Sequence, residues 1–545
     1  MLWVEPTSSR KRYRCLVVED ERNWREDVRD TIAQTGIEVV AVATRDAAAD
    51  RLASEVFHLL ILDIHLEDHD PSNVEGMEFL RELSSYGISE ALSVVVLTAV
   101  GSEDMMREAF REHGVEDFVS KYDYQEDEDG FLATVEGIFR NKLRINLDLA
   151  IHWNGVTPEA AVLNLLMGDS RVKRDTPQLA QIARELEDLF CRLFSGAESL
   201  SIEPLGTGRS GAGVLLAQPF FEKGDGGRQV VVKFGDVARI QQERDNFDRY
   251  VVPYLGGGRH TSLQVHRRGP RLGGIVYSLL GKEGHQLSNF ATFYRGSSGE
   301  EVHRVLEGLF RETCGTWYKS PGKTKLIELT PYYFQWLGMS PEGLERGLKS
   351  LKSVQGMEDL YFQGLGEDHR WTHPLTVFPE NPMAFPTYET LTHGDFHPEN
   401  ILLDGQGNSW LIDFQGTGPG HFLRDAVELD AAIRIGLLAP DDATLDERLG
   451  LERALAASRS FSDPLEEVPE PPGSKPAVIK AFHACLQLRR LAGEFLAAEG
   501  SAGLDEYLAG TLFCALNLTR FLSLPTLTRE HALLSACVLT ERLGY

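Results

Sequence analysis

The sequence has no pair of cysteines at C-x-x-C spacing; its six cysteines stand singly at 15, 191, 314, 485, 514 and 537. That scatter argues against a disulfide framework and against a zinc cluster, and it suits the reduced thiols of a cytoplasm. No apolar run approaches the roughly 18–20 residues needed to cross a membrane, and the N-terminus lacks the charged-then-apolar layout of a secretory signal. A cytoplasmic protein without membrane contact is the expectation. Positive charge is also short: 55 Lys and Arg stand against 82 Asp and Glu, for a net charge of −27. Such a chain repels phosphate backbones and anionic lipid, so nucleic acid is not an expected partner. The one basic run, Arg10-Lys11-Arg12-Tyr13-Arg14, reads as the solvated start of a strand. What remains is ordinary for globular protein, with 42% hydrophobic and 25% charged residues over 545 positions. That length suits roughly two to four domains.

Residues 15–18, 59–62 and 94–97 are short apolar runs, with helix-like stretches at 26–34, 44–55 and 77–84. Strands and helices alternating at this spacing predict an α/β doubly wound parallel sheet, in which sites form at the carboxyl ends of strands. Those ends carry chemistry. Glu19 and Asp20 follow the first strand, Asp63 the third, Thr98 the fourth, and Lys121 the run 117–120. Three carboxylates converging on one point repel one another unless a divalent cation joins them, and oxygen ligands suit magnesium. An aspartate beside that metal can accept a phosphoryl group, with Lys121 and the Thr98 hydroxyl binding its oxygens.

With LVVEDE, LLILDIHLED, VVVLTA and DFVSK in that order, residues 13–142 resemble a response-regulator receiver domain, with a flavodoxin-like fold. The resemblance implies that Asp63 is the phospho-acceptor and that Glu19 and Asp20 are the magnesium-binding pair. It also implies that Thr98, Lys121 and the aromatic Phe118 are switch residues, and that a sensor histidine kinase is the partner. Two departures stand out: Tyr122 replaces the usual proline after Lys121, and the loop after Asp63 is long.

Residues 123–130 (DYQEDEDG) read as an acidic surface loop and 131–143 as a closing helix. Alternation over 145–153 predicts a strand, and 157–167 and 176–194 predict amphipathic helices. These helices either pack simply against the next domain or serve in coupling or homodimerisation.

Further on, 202–214 (IEPLGTGRSGAGV) is an apolar strand start, a turn with Gly206, Gly208, Gly211 and Gly213, and a second strand. A backbone so rich in glycine can approach phosphates closely. Lys233 sits in the apolar run VVVKF and must point its ammonium at something negative; Glu243, in the helix-like 240–251, is a suitable partner, with Asp245 and Asp248 as alternatives. The strongest signal is LTHGDFHPENILLD at 391–404, followed by SWLIDF at 409–414. Kinase-type phosphoryl transfer needs an aspartate to orient and deprotonate the acceptor hydroxyl. It also needs an asparagine and a second aspartate to hold magnesium against ATP. Asp395, Asn400 and Asp413 have that spacing.

The motif resembles the aminoglycoside phosphotransferase and choline kinase superfamily, which implies an α+β bilobal protein-kinase-like domain over 200–540. It further implies that Asp395 is the base, that Asn400 and Asp413 bind magnesium, and that Lys233 contacts the ATP phosphates with Glu243 as its anchor. His393 would buttress the loop, and His397 would be a loop residue rather than a zinc ligand. The expected organisation is a receiver at 1–145, a connector at 146–199, an N-lobe at 200–285 and a C-lobe at 286–545. The leading expectation is an ATP-dependent phosphotransferase acting on an unidentified hydroxyl acceptor and modulated by Asp63. The alternative is a catalytically silent ATP-binding adaptor. A basic helix-turn-helix output is missing, and antibiotic resistance stays open as a main role, against which a fused receiver implies regulation by a sensor kinase. Finally, 358–364 (EDLYFQG) resembles the cleavage sequence of a viral protease; chance or native sequence is favoured, and an inserted copy would lie in an exposed, tolerant loop.

Overall fold

Three apolar strands buried on both faces organise the beginning of the chain. In the computed structural model, β1 (Arg14–Val18), β2 (Glu38–Val42), β3 (Leu59–Leu62), β4 (Ser93–Thr98) and β5 (Asp117–Ser120) form a parallel sheet in the order β2-β1-β3-β4-β5. Residues 12–66, 74–85, 91–99, 102–167, 176–205, 213–254, 260–280, 287–319, 321–351, 354–355, 361–365, 367–378, 381–461, 468–471, 473–496 and 503–545 are described by the structure. Helices α1 (Arg22–Ala33), α2 (Arg45–Ser54), α3 (Glu75–Ser85), α4 (Glu103–Glu112), α5 (Lys121–Glu126) and α6 (Glu128–Gly137) connect and cover the strands. Leu60, Leu62, Phe79, Leu80 and Val96 fill one face, and Val17, Ile32, Ile61, Phe131 and Val135 the other.

The acidic segment 123–130 is not a loop. Ser120 caps α5 by accepting from the Asp123 N–H, and Asp127 caps α6 by accepting from the Gly130 N–H. The carboxylates that suggested a solvated loop lie on the outer faces, while Tyr124 and Phe131 are buried. Likewise α1 begins four residues before the apolar periodicity at 26–34 suggested, because its first turn is polar and exposed around the half-buried Trp24.

A second sheet follows. β6 (Ala150–Trp153), β7 (Ser199–Pro204), β8 (Gly213–Phe220), β9 (Val230–Asp236), β10 (His260–Arg268) and β11 (Leu272–Leu280) are ordered β10-β11-β9-β8-β7-β6. The strand expected over 145–153 is only its last four residues. It joins this sheet by parallel pairing with β7, so this part of the connector is one of its strands. Helices α7 (Pro158–Met167) and α8 (Thr176–Leu193) lie between β6 and β7. Leu186, Leu189, Phe190 and Leu193 of α8 pack with Leu200, Val232, Phe234 and Val276 of the sheet.

The chain divides into two units: residues 1–242 with 263–278, and 243–262 with 279–545. In the second, α9 (Val237–Asn246) contributes its last four residues. Its sheets are small. β12 (Leu287–Asn289), β19 (Ile401–Asp404) and β20 (Ser409–Leu411) form one in the order β12-β19-β20. β13 (Lys325–Glu328) pairs with β17 (Ala384–Thr387), and β18 (Glu389–Thr392) with β21 (Gly418–His421). β14 (Val354–Gln355), β15 (Tyr361–Gly364) and β16 (Glu367–Thr372) make a meander. Helices α10 (Leu329–Trp336), α11 (Arg424–Ala431), α12 (Leu445–Ala456), α13 (Pro476–Gly493), α14 (Leu504–Thr519) and α15 (Thr526–Arg542) supply most of the core.

The EDLYFQG segment falls partly in this meander. Residues 358–360 lie outside the described residues, but 361–364 are strand β15, paired on both edges. Phe362 is 2% exposed in a core with Leu348, Trp371 and Leu533. These four residues are therefore not an exposed loop. A protease that must bind its substrate extended in a cleft should leave the native protein intact and cut it only after unfolding. Digestion with the matching viral protease, with and without prior denaturation, checks this; rapid cleavage of native protein would contradict the strand assignment.

Candidate functional sites

The first site lies at the carboxyl edge of the parallel sheet. Glu19, Asp63, Thr98 and Lys121 are all buried there, with exposures of 2%, 3%, 0% and 6%. Lys121 donates from Nζ to Asp63 Oδ2 at 2.7 Å and to Glu19 Oε1 at 2.9 Å. Carboxylate oxygens of Glu19, Asp20 and Asp63 lie within 4.8 Å of one another. Burial, then the charge of Asp63, pushes the Glu19 carboxyl up to about 8, although Lys121 pulls the other way. Burial disfavours the Lys121 ammonium, yet the two carboxylates outweigh it and raise its pKa. Hard oxygen donors crowded in this way fit a magnesium ion, which relieves their repulsion.

The chain around Asp63 is shaped to leave room for this cluster. At Gly76, which opens α3, a Cβ would come within 2.1 Å of the Asp63 carbonyl oxygen, so no larger residue fits without moving the loop. Phe118 is half-buried on β5 against the α3-side core. One neighbour gave no sequence signal: Trp24, whose ring lies 5.2 Å from Lys121 Nζ.

In the first unit's other sheet, Lys233 is 2% exposed on β9, in register with Ile275 of β11 and Val214 of β8. Gly206, Gly208 and Gly211 lie outside the described residues. Gly213 opens β8, and there a Cβ would collide with the Phe234 ring at 2.1 Å.

The second site is built in the second unit around the loop at 393–400. Its backbone is gripped from α11. Asp425 accepts from the N–H groups of His393 at 2.7 Å and Gly394 at 2.9 Å, and from the Tyr318 hydroxyl at 2.9 Å. Glu428, one helical turn on, accepts from the Phe396 N–H at 2.7 Å. Trp336 donates from its indole to the Gly394 carbonyl. Gly394 has φ +78°, and a Cβ there would meet the Gly416 carbonyl oxygen at 2.2 Å. His393 is buried and donates from Nε2 to the Ile412 carbonyl, which suits the buttress expected of it; burial lowers its pKa.

Within this frame Asp395 remains a third exposed at its side chain. Asn400 donates from Nδ2 to the Asp395 carbonyl at 2.9 Å and to its Oδ2 at 3.1 Å. His397 is tied by Nδ1 to Glu399 at 2.8 Å, with Nε2 3.6 Å from Asp395. Burial disfavours its charge, but the Glu399 hydrogen bond and the surrounding carboxylates carry it up to about 9. Burial, then the charge of Asp395, lifts Glu428 to about 8. The Ile412 N–H donates to the Asn400 carbonyl, joining the loop to Asp413. Asp413 is buried with φ +70°, a backbone that costs a non-glycine residue energy and is kept where surrounding contacts enforce it. Those contacts come from 243–246. Glu243 accepts from the Phe414 N–H at 3.2 Å, and Asn246 donates to the carbonyls of Phe414 and Gln415. The sequence pairs Glu243 with Lys233 and gives no sign of its contact with Phe414 or of the roles of Asn246, Asp425 and Glu428; the i, i+3 acidic pair in RDAVELD is the available signal for the last two.

Residues 197–368 and 366–517 match the family described as Ternary complex associated domain 9. The chain belongs to that family. Residues 15–128 match the response regulator receiver domain, so the Ternary complex associated domain 9 region follows an N-terminal receiver. Curated relatives agree on that part: the response regulator protein FleR of Pseudomonas aeruginosa is 36% identical over 106 residues, covering 19% of this chain and 21% of FleR. The phosphate regulon transcriptional regulatory protein PhoB of Klebsiella pneumoniae is 27% identical over 157 residues, covering 29% of this chain and 65% of PhoB. Both matches thus span less than two thirds of the relative. A CheY-like receiver domain protein from Methanospirillum hungatei JF-1 is 21% identical over 23% of this chain and 98% of its own, with a TM-score of 0.19.

Proposed function

We propose that this receiver-bearing member of the Ternary complex associated domain 9 family is an ATP- and magnesium-dependent phosphotransferase acting on a hydroxyl group, its activity modulated by phosphorylation of Asp63. The observation that carries the proposal is the Asp395–Asn400 contact beside Asp413. A half-open carboxylate is held by an asparagine, and a buried aspartate follows on the next strand end. Asp395 takes the acceptor's proton, the acceptor oxygen bonds to the γ-phosphorus, and the bond to the leaving ADP oxygen breaks. Asn400 and Asp413 would hold a magnesium ion, which would supply neutralisation of charge on the transferring group. Lys233 is assigned to the ATP phosphates, as are Gly206, Gly208 and Gly211 from their sequence motif. A protein-kinase-like bilobal fold is the architecture this reading requires of 200–545. Magnesium-dependent consumption of γ-labelled ATP tests the reading.

On the receiver, Asp63 is the proposed phospho-acceptor. Glu19 and Asp20 join it as magnesium ligands, Thr98 and Lys121 bind the phosphoryl oxygens, and Phe118 follows the switch. A sensor histidine kinase is the proposed donor. The Lys121 ammonium leaves its pairing with Glu19 when a phosphoryl group forms, so the field over the Trp24 ring changes. Adding magnesium and beryllofluoride is therefore expected to alter tryptophan emission in the wild type, and Trp24→Phe is expected to abolish the change. An unaltered response in that variant would remove Trp24 as the reporter.

A second reading, an ATP-binding adaptor without turnover, is favoured by the family's description, which names association with a ternary complex. Nucleotide binding without ATP consumption would support it.

A further inference from the structure

The six-stranded sheet packs on α8 and the base of the receiver touches the same helix, the two meeting it through buried carboxylates one helical turn apart. Glu185 is fully buried and serves the six-stranded sheet. It accepts from the backbone N–H groups of Arg271 at 2.6 Å and Leu272 at 2.8 Å, and from Arg271 Nε at 2.7 Å. Asp188 serves the receiver. The Arg14 N–H donates to His58 Nδ1 at 3.0 Å, which leaves Nε2 to donate to Asp188 Oδ1 at 2.9 Å. Arg192 completes the contact by donating to Asp188 Oδ2 at 2.7 Å and to the Ala91 carbonyl at 3.0 Å. Burial opposes the Asp188 charge, but Arg192 and His58 hold it well below the usual carboxylate range.

Each end of this latch leads to a functional side chain. His58 immediately precedes β3, whose other end carries Asp63. Leu272, bound by Glu185, opens β11, and Ile275 three residues on is the register partner of Lys233. The path is short and stiff: α8 lies so close to β11 that a Cβ on Gly274 would meet Leu193 and Leu189 at 2.9 and 3.0 Å, and Phe190 meets Phe234 edge-on.

Between the two contacts the packing is open. A cavity of about 330 Å³ is lined by Leu52, Phe57, Phe79, Leu83 and Leu92 of the receiver and by Pro270 of the β10–β11 turn. Arg271 and Gln181 bridge its rim to the Ala53 carbonyl. A joint held by polar contacts around a cavity can shift without repacking a close-packed core.

We infer that the base of the receiver, through the His58–Asp188 and Glu185–Arg271 contacts on α8, transmits the state of Asp63 to the strand that carries Lys233. This rests on the phosphotransferase reading above. The route differs from the α4–β5–α5 face, where Met106, Phe110 and Tyr122 stand exposed.

The test uses the full chain and a fluorescent ATP analogue, titrated in constant magnesium with and without beryllofluoride, with the Trp24 response verifying receiver loading. In the wild type, beryllofluoride is expected to shift nucleotide affinity about 5-fold or more. His58→Phe removes the donor to Asp188, and Arg271→Met removes the side-chain partner of Glu185 at the other end while leaving its two backbone hydrogen bonds. Both should load and bind nucleotide with the shift reduced to less than about 2-fold. His58→Gln should restore part of it, and Phe110→Ser on α4 should keep the wild-type shift. Variants that load, bind and still shift fully would overturn the latch alone, as would loss of coupling in Phe110→Ser or a wild type that binds nucleotide but ignores beryllofluoride. No nucleotide binding in any state would overturn the phosphotransferase reading and the latch with it.

Discussion

Replacing Asp395 by alanine is expected to lower phosphoryl transfer by about 10²–10⁴-fold, the range supplied by a positioned proton acceptor, while ATP binding stays close to wild type. The separation follows from where the side chain sits. Asp395 is held to the loop by Asn400 but a third of it faces solvent, where an acceptor hydroxyl can reach it. The backbone around it is fixed by groups the substitution leaves alone: Asp425 on His393 and Gly394, and Glu428 on Phe396. The loop should therefore keep its shape in the variant. Labelled-ATP turnover and a separate nucleotide titration read the two quantities. Equal turnover in variant and wild type would remove Asp395 from its proposed role.

Acetyl phosphate is expected to label the receiver on Asp63, and Asp63→Ala is expected to abolish that label. Among the three clustered carboxylates, Asp63 is the one that directly follows the central strand β3, with Lys121 Nζ 2.7 Å from its Oδ2. That ammonium is ready to pair with a phosphoryl oxygen on the same carboxylate. Glu19, lifted to about 8 and sharing Lys121, takes its charged form more readily once magnesium binds beside it. Mass analysis of the labelled chain checks the site. Labelling that persists in Asp63→Ala would contradict the assignment.

How much of this was legible in the sequence follows from the range over which each interaction acts. The strand at 59–62 emerges with the boundaries that hydrophobicity indicates, because burial on both faces leaves an unbroken apolar run. The site residues at the strand ends follow from strand position alone. The loop at 391–404 carries its spacing within a few residues, so Asp395 and Asn400 meet as expected. What stayed hidden depends on partners distant in the chain. Glu185 and Asp188 look like ordinary acids on an amphipathic helix, yet their partners lie 86 and 130 residues away. Glu243 reaches Phe414 across 171 residues, which local pattern cannot convey. The acidic run at 123–130 misled for the opposite reason: composition advertised a loop, while two capping side chains and two buried aromatics specified helices.

Control of a phosphotransferase by its receiver is tested by γ-labelled ATP consumption by the wild-type chain in magnesium, with and without beryllofluoride, offered a mixture of hydroxyl acceptors and a cell lysate. Magnesium-dependent transfer is expected, at a rate that changes about 5–150-fold when the receiver is loaded. Measurable nucleotide binding with no ATP consumption in either state would contradict it and leave the adaptor reading in its place.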